Sequence, residues 1–349
     1  MMKFSTAILY TARTSRLRAR SAGVTLIELM VAMTIGVIVL LGLTMMLGAN
    51  TRNQAELEQT IRKLENARYS VDVLSEDIAH AGYYSDFSPN LLPLLATYVT
   101  TEPCKTAVSP TTEQGWNISA TSSVFPVHVQ GLDPGVNPSP DCLVNRKADT
   151  AALVIRRAET GDASTVASSL NTNLYLQYSL CPTDAVRVVV AQGGASAPFT
   201  LKRPDCIATN NSVRRLIQRT YFVATCNVCS PDDGIPTLKR VEIINGVQQI
   251  TAVAEGIENL RLEYGVDSSA TKDGEPDVYA TAPAATNWPD VVTVRIHILA
   301  RNNLKTAGYV DNRTYQVGPE LAVSAPADGY KRTLLTTTAR LNNVAGRRE

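Results

Sequence analysis

The sequence lacks a strong charge of either sign. Its 349 residues carry a formal net charge of +1, but that charge is unevenly distributed. Residues 1–23 contain five basic side chains and no acid, which leaves 28 basic against 32 acidic residues in the rest of the chain. A mildly acidic body argues against general nucleic-acid binding, which needs a basic surface. A short basic stretch is instead typical of the cytoplasmic flank of a membrane span.

The sequence also lacks the patterns that carry chemistry. It has no glycine-rich phosphate loop and no serine in a G-x-S-x-G context. The three histidines, His80, His128 and His297, are scattered and lie near no candidate nucleophile. We therefore predict no catalytic residue, no cofactor and no metal, and a structural rather than an enzymatic role.

Proline is absent from Val24 to Phe87, which permits one long helix. The twenty residues from Leu29 to Gly48 carry no charge, and as a helix they span about 30 Å, the thickness of a bilayer core. A plain signal anchor or a cleaved secretory signal would account for this run. Neither accounts for Glu28, an acid placed at its start.

The apolar periodicity continues beyond this run. Residues at steps of three, four and seven form one predicted stripe: Leu57, Ile61, Leu64, Val71, Leu74 and Ile78. We predict a helix from Thr25 to Ala81, capped by Gly82, whose second half packs its stripe against a globular body.

The stretch "GVTLIELMVAMTIGVIVLL", which begins at Gly23, resembles the cleavage and assembly motif of type IV prepilins and pseudopilins. The resemblance implies that a prepilin peptidase cuts between Gly23 and Val24 and methylates the new amine of Val24. That family usually has Phe where this chain has Val24, and a leader of 23 residues is long for it. In a stack of such subunits, the amine of one approaches Glu28 of its neighbour. In apolar surroundings their attraction would favour the correct register.

Beyond the helix, residues 87–140 are rich in Pro, Thr, Ser and Asn and are predicted to form loops or short irregular strands. Eight later segments have β-type patterns, at residues 152–156, 185–191, 213–225, 239–244, 247–254, 257–267, 291–301 and 330–343. Asn245-Gly246 predicts a type I′ hairpin. Since strand follows strand without helical patterns between them, the sheet should be antiparallel, and the fold class is α+β.

Three further segments resemble PilW-type minor pilins and J-type pseudopilins. They are "LENARYSVDVLSEDIAHAGYY", "AEGIENLRLEYGVD" with the "WPDVVTVRIHILAR" that follows, and "YKRTLLTTTARLNN". The resemblance implies a pilin-like fold, in which a long N-terminal helix packs on an antiparallel sheet. It divides the chain into a basic leader (1–23), a transmembrane and assembly helix (24–49), an amphipathic helix half (50–82) and a periplasmic β-rich domain (83–349).

The resemblance also implies a function. The chain would be a minor pilin that joins a priming or tip complex for type IV pilus assembly, with a J-type pseudopilin of a type II secretion system as the alternative. The implied partners are other minor pilins, the major pilin, the prepilin peptidase, the inner-membrane assembly platform and a tip adhesin. The implied location is the bacterial inner membrane, single-pass with a periplasmic C-terminal domain, and then the pilus.

Six cysteines follow the apolar run and are disulfide candidates: Cys104, Cys142, Cys181, Cys206, Cys226 and Cys229. They allow fifteen pairings, and the sequence does not choose among them. Cys226 and Cys229 form a CxxC. A tight structural disulfide, or two cysteines each paired elsewhere, is favoured over zinc or a redox pair. A membrane-anchored periplasmic thiol oxidoreductase remains the rival from another class, and a DNA-uptake receptor a third hypothesis.

One acidic segment is a weak calcium candidate. Asp267, Asp273, Glu275 and Asp277 surround Gly274, and spaced carboxylates beside a turn are typical calcium ligands. The spacing does not match an EF-hand loop, and Pro276 interrupts it. An acidic hairpin turn is the preferred interpretation.

Overall fold

A computed structural model describes residues 23–89, 96–105, 114–119, 122–134, 141–166, 171–195, 198–207, 209–319 and 321–348. Residues 1–22 of the predicted leader lie outside this part of the chain. By its internal contacts the chain divides into two units, with the boundary between Ala55 and Glu56.

The long helix is present as predicted, from Leu26 to His80 (α1). It ends where Gly82 takes a positive φ of 70° and donates its N–H to the carbonyl of Arg156, so the chain turns directly onto the sheet. In the described part of the chain, α1 is followed by sixteen strands, a 3₁₀ turn (Ala285–Asp290) and a short helix (α2, Asn342–Ala345).

The strands of the second unit are, in chain order, β1 (Thr97–Val99), β2 (Asn117–Ser119), β3 (Ser122–Pro126), β4 (Val129–Leu132), β5 (Ala152–Ala158), β6 (Leu174–Tyr178), β7 (Val188–Gln192), β8 (Val213–Ala224), β9 (Thr237–Ile244), β10 (Val247–Glu255), β11 (Ile257–Val266), β12 (Val278–Ala280), β13 (Val291–Arg301), β14 (Thr314–Gln316), β15 (Ala322–Ser324) and β16 (Arg332–Arg340). All eight predicted segments contain a strand. The predicted hairpin is also present, since Asn245 and Gly246 have φ values of 54° and 72° and Ile244 pairs with Val247.

The two main sheets are antiparallel, as predicted. One has the order β10-β9-β8-β5-β4, with β6 and β7 added beside β8, and the other has the order β12-β11-β13-β16. A smaller sheet, β1-β3-β2, contains a parallel pair between β1 and β3, which the prediction of a purely antiparallel body missed. The fold is α+β.

The core of the second unit is shared by α1 and both main sheets. Leu74 and Ile78 of α1 are fully buried against residues such as Leu153, Tyr221 and Ile296. A second, aromatic cluster contains Tyr84, Phe87, Trp116, Phe125 and Tyr178. Burial of these apolar side chains is the main source of stability for the unit.

The predicted apolar stripe of α1 is partly wrong. Leu57 and Ile61 are 60% and 44% exposed, whereas the buried positions are Lys63, Ala67, Ser70, Leu74, Asp77 and Ile78. These positions also follow helical spacing, but three of them are polar. Because the prediction used apolar residues alone, the first half of the predicted stripe lies part of a helical turn away from the face that is buried.

Candidate functional site

The start of α1 is fixed by a reciprocal pair of side chains. Thr25 donates both its backbone N–H and its hydroxyl to the Glu28 carboxylate, each at 3.0 Å, and Glu28 donates its backbone N–H to the Thr25 hydroxyl at 3.3 Å. This is a capping box, which satisfies N–H groups that have no partner within a helix. Glu28, predicted to pair with a neighbouring amine, thus also has a local role in the single subunit.

The apolar run that follows Glu28 is long and apolar enough to cross a membrane. Its side chains are exposed in the structure, for example Leu26 at 79% and Ile38 at 68%. The two hydroxyls inside it are satisfied locally, since Thr34 and Thr44 donate to the carbonyls of Val31 and Leu41. Nothing polar except Glu28 therefore disturbs this surface, which suits lipid or the apolar helices of other subunits.

Asp77 fastens the second half of α1 to the large sheet. Its buried carboxylate accepts hydrogen bonds from Arg157 of β5 (3.1 Å), from Arg219 of β8 (2.9 and 3.0 Å) and from the hydroxyl of Tyr221 (2.5 Å). Arg219 also donates to Glu242 of β9 at 2.8 Å. One helical carboxylate therefore bonds to two neighbouring strands, β5 and β8, and is linked to β9 through Arg219. A buried charge of this kind needs such partners.

The pKa of Asp77 reflects the same contacts. Burial by itself raises the pKa, but the hydrogen bond from Tyr221 and the charges of Arg219 and Arg157 together outweigh it, so the pKa lies below its ordinary value. The sequence analysis missed this group. A signal was present in the sequence, because residues 70, 74 and 77 share a helical phase, Arg219 lies in a predicted strand and Arg157 directly follows another.

The six cysteines form three disulfides: Cys104–Cys142, Cys181–Cys206 and Cys226–Cys229. The CxxC bridge lies in the loop between β8 and β9 rather than at a helix N-terminus, the position that lowers the pKa of a redox thiol. Lys239 lies 3.5 Å from the sulfur of Cys229, through its Nζ. The bridge cross-links the loop between β8 and β9.

The bridges should differ in their contribution to stability. Cys104–Cys142 spans 38 residues and lies in an apolar cluster, whereas Cys226–Cys229 spans three. Chain entropy then assigns about 4 kcal/mol to the first bridge and about 2 kcal/mol to the second. We expect the double alanine variant at Cys104 and Cys142 to lower the melting temperature more than the double variant at Cys226 and Cys229. Thermal unfolding followed by circular dichroism would measure this, and equal shifts would contradict it.

The calcium candidates do not share a cage. Asp267 accepts bonds from Arg348 and from the N–H of Gly274, while Asp277 accepts bonds from the N–H groups of Ser268 and Ser269. Glu275 pairs with Arg340, and Asp273 accepts the N–H of Glu275. Within the described ranges no three Asp, Glu, His or Cys side chains lie close enough to hold one metal ion. The segment is an acidic turn tied down by its own chain.

The three histidines are also separated, as the sequence indicated. His128 is buried beside Tyr84, with their Nδ1 and hydroxyl oxygen 3.2 Å apart, and burial lowers its pKa to about 3. His297 lies in the other sheet, 2.6 Å from Glu263 and 3.0 Å from Thr336. Both pack as core side chains.

Two family models match this chain, one near its N-terminal end and one in its C-terminal half. The family model of type IV pilus-assembly protein W matches residues 220–343, from β8 to α2. The prokaryotic N-terminal methylation motif matches residues 18–44, which include Gly23, Val24 and Glu28. The two matches support a PilW-type minor pilin of type IV pili. They confirm the predicted resemblance, and the matched motif with its apolar helix indicates single-pass membrane anchoring.

The type IV-like pilin TTHA1219 from Thermus thermophilus is similar at 14% identity over 51% of this chain and 90% of that chain, with a TM-score of 0.24. No curated protein matches the chain in sequence. Pilin-like proteins are generally structural and non-enzymatic.

Proposed function

We propose that this chain is cut between Gly23 and Val24 by a prepilin peptidase, is methylated on the amine of Val24, and joins a priming or tip complex for type IV pilus assembly. The observation that carries the proposal is the placement of Glu28, the acid at the start of an exposed apolar helix, five residues beyond Gly23. A membrane anchor needs at most a helix cap here, which an uncharged glutamine also provides, whereas packing against a neighbour's new amine needs the charge.

The size of the body supports an initiating or tip position. After cleavage the chain would keep 326 of its 349 residues. Such a bulky subunit suits one place at the end of a thin filament better than a repeat along its length. Other minor pilins, the major pilin, the assembly platform and a tip adhesin are the proposed partners, and the periplasm is the proposed location of residues 83–349.

The first test is the mass of the mature N-terminal peptide, measured by mass spectrometry on protein from the membrane. We expect a peptide that begins with N-methylated Val24. A peptide that begins at Met1, or one that begins near Asn50, would contradict prepilin processing. A Gly23→Leu variant is the matched control, because it keeps the apolar helix and Glu28 but should retain its leader.

A further inference from the structure

A cleft between α1 and the end of β13 is lined by positive charge and by no acid. Its volume is about 100 Å³, and three cations and three carboxamides line it together with Leu304: Arg62, Lys63, Arg301, Gln59, Asn66 and Asn303. All of these residues belong to the second unit. A cleft with this excess of cations favours an anionic ligand.

Lys63 is the most informative of the lining residues. It is only 6% exposed, and its Nζ makes one long contact of 3.5 Å, to the carbonyl of Lys331. In the part of the chain that the structure describes, its ammonium has no ion-pair partner. Burial and then the nearby charge of Arg313 lower the pKa of Lys63, and the charge of Asp311, which acts in the opposite direction, offsets them only in part. A buried ammonium without a carboxylate is costly, and an incoming anion would offset that cost.

The neighbouring acids cannot supply this partner, because other groups already hold them. Asp311 is completely buried among Arg313, Arg332 and Tyr315. Glu255 accepts hydrogen bonds from the side chains of Asn227 and Asn303. Glu58 reaches only Arg62, at 3.8 Å, and both side chains are largely exposed. Such an exposed pair contributes little, so Arg62 remains available to a ligand.

Arg301 is a second lining cation whose hydrogen-bonding capacity is not fully used. Its guanidinium lies over the Tyr330 ring, 4.0 Å from the centroid, and donates to the carbonyl of Gly234 at 2.7 Å. Its Nε is buried and has no hydrogen-bond partner among the described residues. A buried donor of this kind is expected to find an acceptor, which an anion in the cleft would provide.

The carboxamides indicate the kind of anion. Asn66 and Asn303 each use one Nδ2 hydrogen on Glu255, at its backbone carbonyl and at its carboxylate, so each keeps a second donor beside its acceptor oxygen. This mixture of donors and acceptors matches a peptide segment, whose acidic side chain takes the donors and whose backbone N–H groups take the acceptors. The small volume also fits a side chain better than a lipid headgroup.

We propose that this cleft receives an aspartate or glutamate side chain of a neighbouring, different pilin subunit, whose carboxylate lies against Lys63, Arg62 and Arg301. The proposal rests on the function proposed above and names one contact by which the subunit recognises its partner. Complementary charges of this kind favour the correct partner and disfavour partners that lack the acid.

The test is photo-crosslinking of the full-length protein in its own membrane. A photoreactive amino acid replaces Leu304, which lines the cleft and is 64% exposed, and the matched control position is Val310, which is 61% exposed and does not line it. We expect an adduct from position 304 to an acidic segment of another pilin and none to that segment from position 310. Lys63→Met should reduce the adduct at least ten-fold, while Arg68→Met, an exposed change on the same helix, should leave it within two-fold.

Several results would overturn the proposal. These are an adduct whose yield is unchanged in Lys63→Met, an adduct to phospholipid, an adduct to a second copy of this chain, or no adduct from position 304. If Lys63→Met lowers the amount of protein, Arg62→Gln replaces it, since that side chain is exposed, and the adduct should fall at least three-fold. The N-terminal mass is read from the same cells. If no N-methylated Val24 is found, the proposed function is wrong. If Val24 is methylated but the adduct from position 304 is as strong in Lys63→Met as in the unsubstituted chain, only the role of the cleft is wrong.

Discussion

Replacement of Glu28 by alanine is expected to leave the chain cut, methylated and inserted in the membrane, and to reduce piliation on the order of 100-fold. The physical reason is an amine left without its carboxylate in apolar surroundings, at a cost of about 3 kcal/mol or more. Piliation would be measured by electron microscopy and by the yield of sheared filaments, with the mature N-terminus checked by mass spectrometry.

Glutamine at position 28 separates the two roles of this residue. Its amide can still close a capping box with Thr25, as glutamine does in other helices, but it carries no charge. If the charge pairs with a neighbour's amine, Glu28→Gln should be as defective as Glu28→Ala. Near-normal piliation in Glu28→Gln would mean that the residue acts as a helix cap, and the pairing role would be wrong.

The second large effect is expected at Asp77. Asp77→Ala leaves Arg157 without its carboxylate and Arg219 with that of Glu242 alone, and should lower the free energy of unfolding of the second unit by roughly 3–5 kcal/mol. Asp72→Ala is the matched control on an exposed position of the same helix and should change it by less than about 0.5 kcal/mol. Urea unfolding of the full chain in detergent would compare them, and a loss below about 1 kcal/mol for Asp77→Ala would contradict the role of this carboxylate.

The same group predicts a dependence on pH. Because the folded pKa of Asp77 lies below its unfolded value, its contribution to stability is fully present above the unfolded pKa, near pH 4, and is lost as the pH falls through the folded pKa. Wild-type protein should therefore lose stability below about pH 4 more steeply than Asp77→Asn. Parallel acid profiles for the two proteins would rule out this contribution.

The sequence predicted the elements of the fold better than their burial. Runs of β-branched residues located the strands, Asn245-Gly246 located the hairpin, and the absence of proline located α1. Those signals are local, since they depend on neighbours along the chain. The face of α1 that packs inward was misplaced because Lys63, Ser70 and Asp77 are buried there, and their burial depends on partners that lie far away in sequence.

The candidate site also contains residues that the sequence identified and residues that it did not. The motif around Gly23 and Glu28 is contiguous, so it was found from the sequence alone. The disulfide pairing and the cleft at Lys63 are products of tertiary structure. Arg301 lies 238 positions from Lys63, and no spacing rule connects them. The capping role of Glu28 was not predicted, although Thr25 and Glu28 have the three-residue spacing of a capping box.

The contacts of α1 with the segments on either side of β16 have a consequence for biogenesis. Lys331 forms an ion pair with Glu56, and Asn343 donates to the carbonyls of Ala79 and Ala81. The helix therefore completes its packing only with residues synthesised more than 250 positions later. Contacts so distant in sequence form slowly. The newly made chain should therefore pass through a stage in which its membrane helix is already inserted while its second unit is still unfolded, open to proteases and dependent on chaperones.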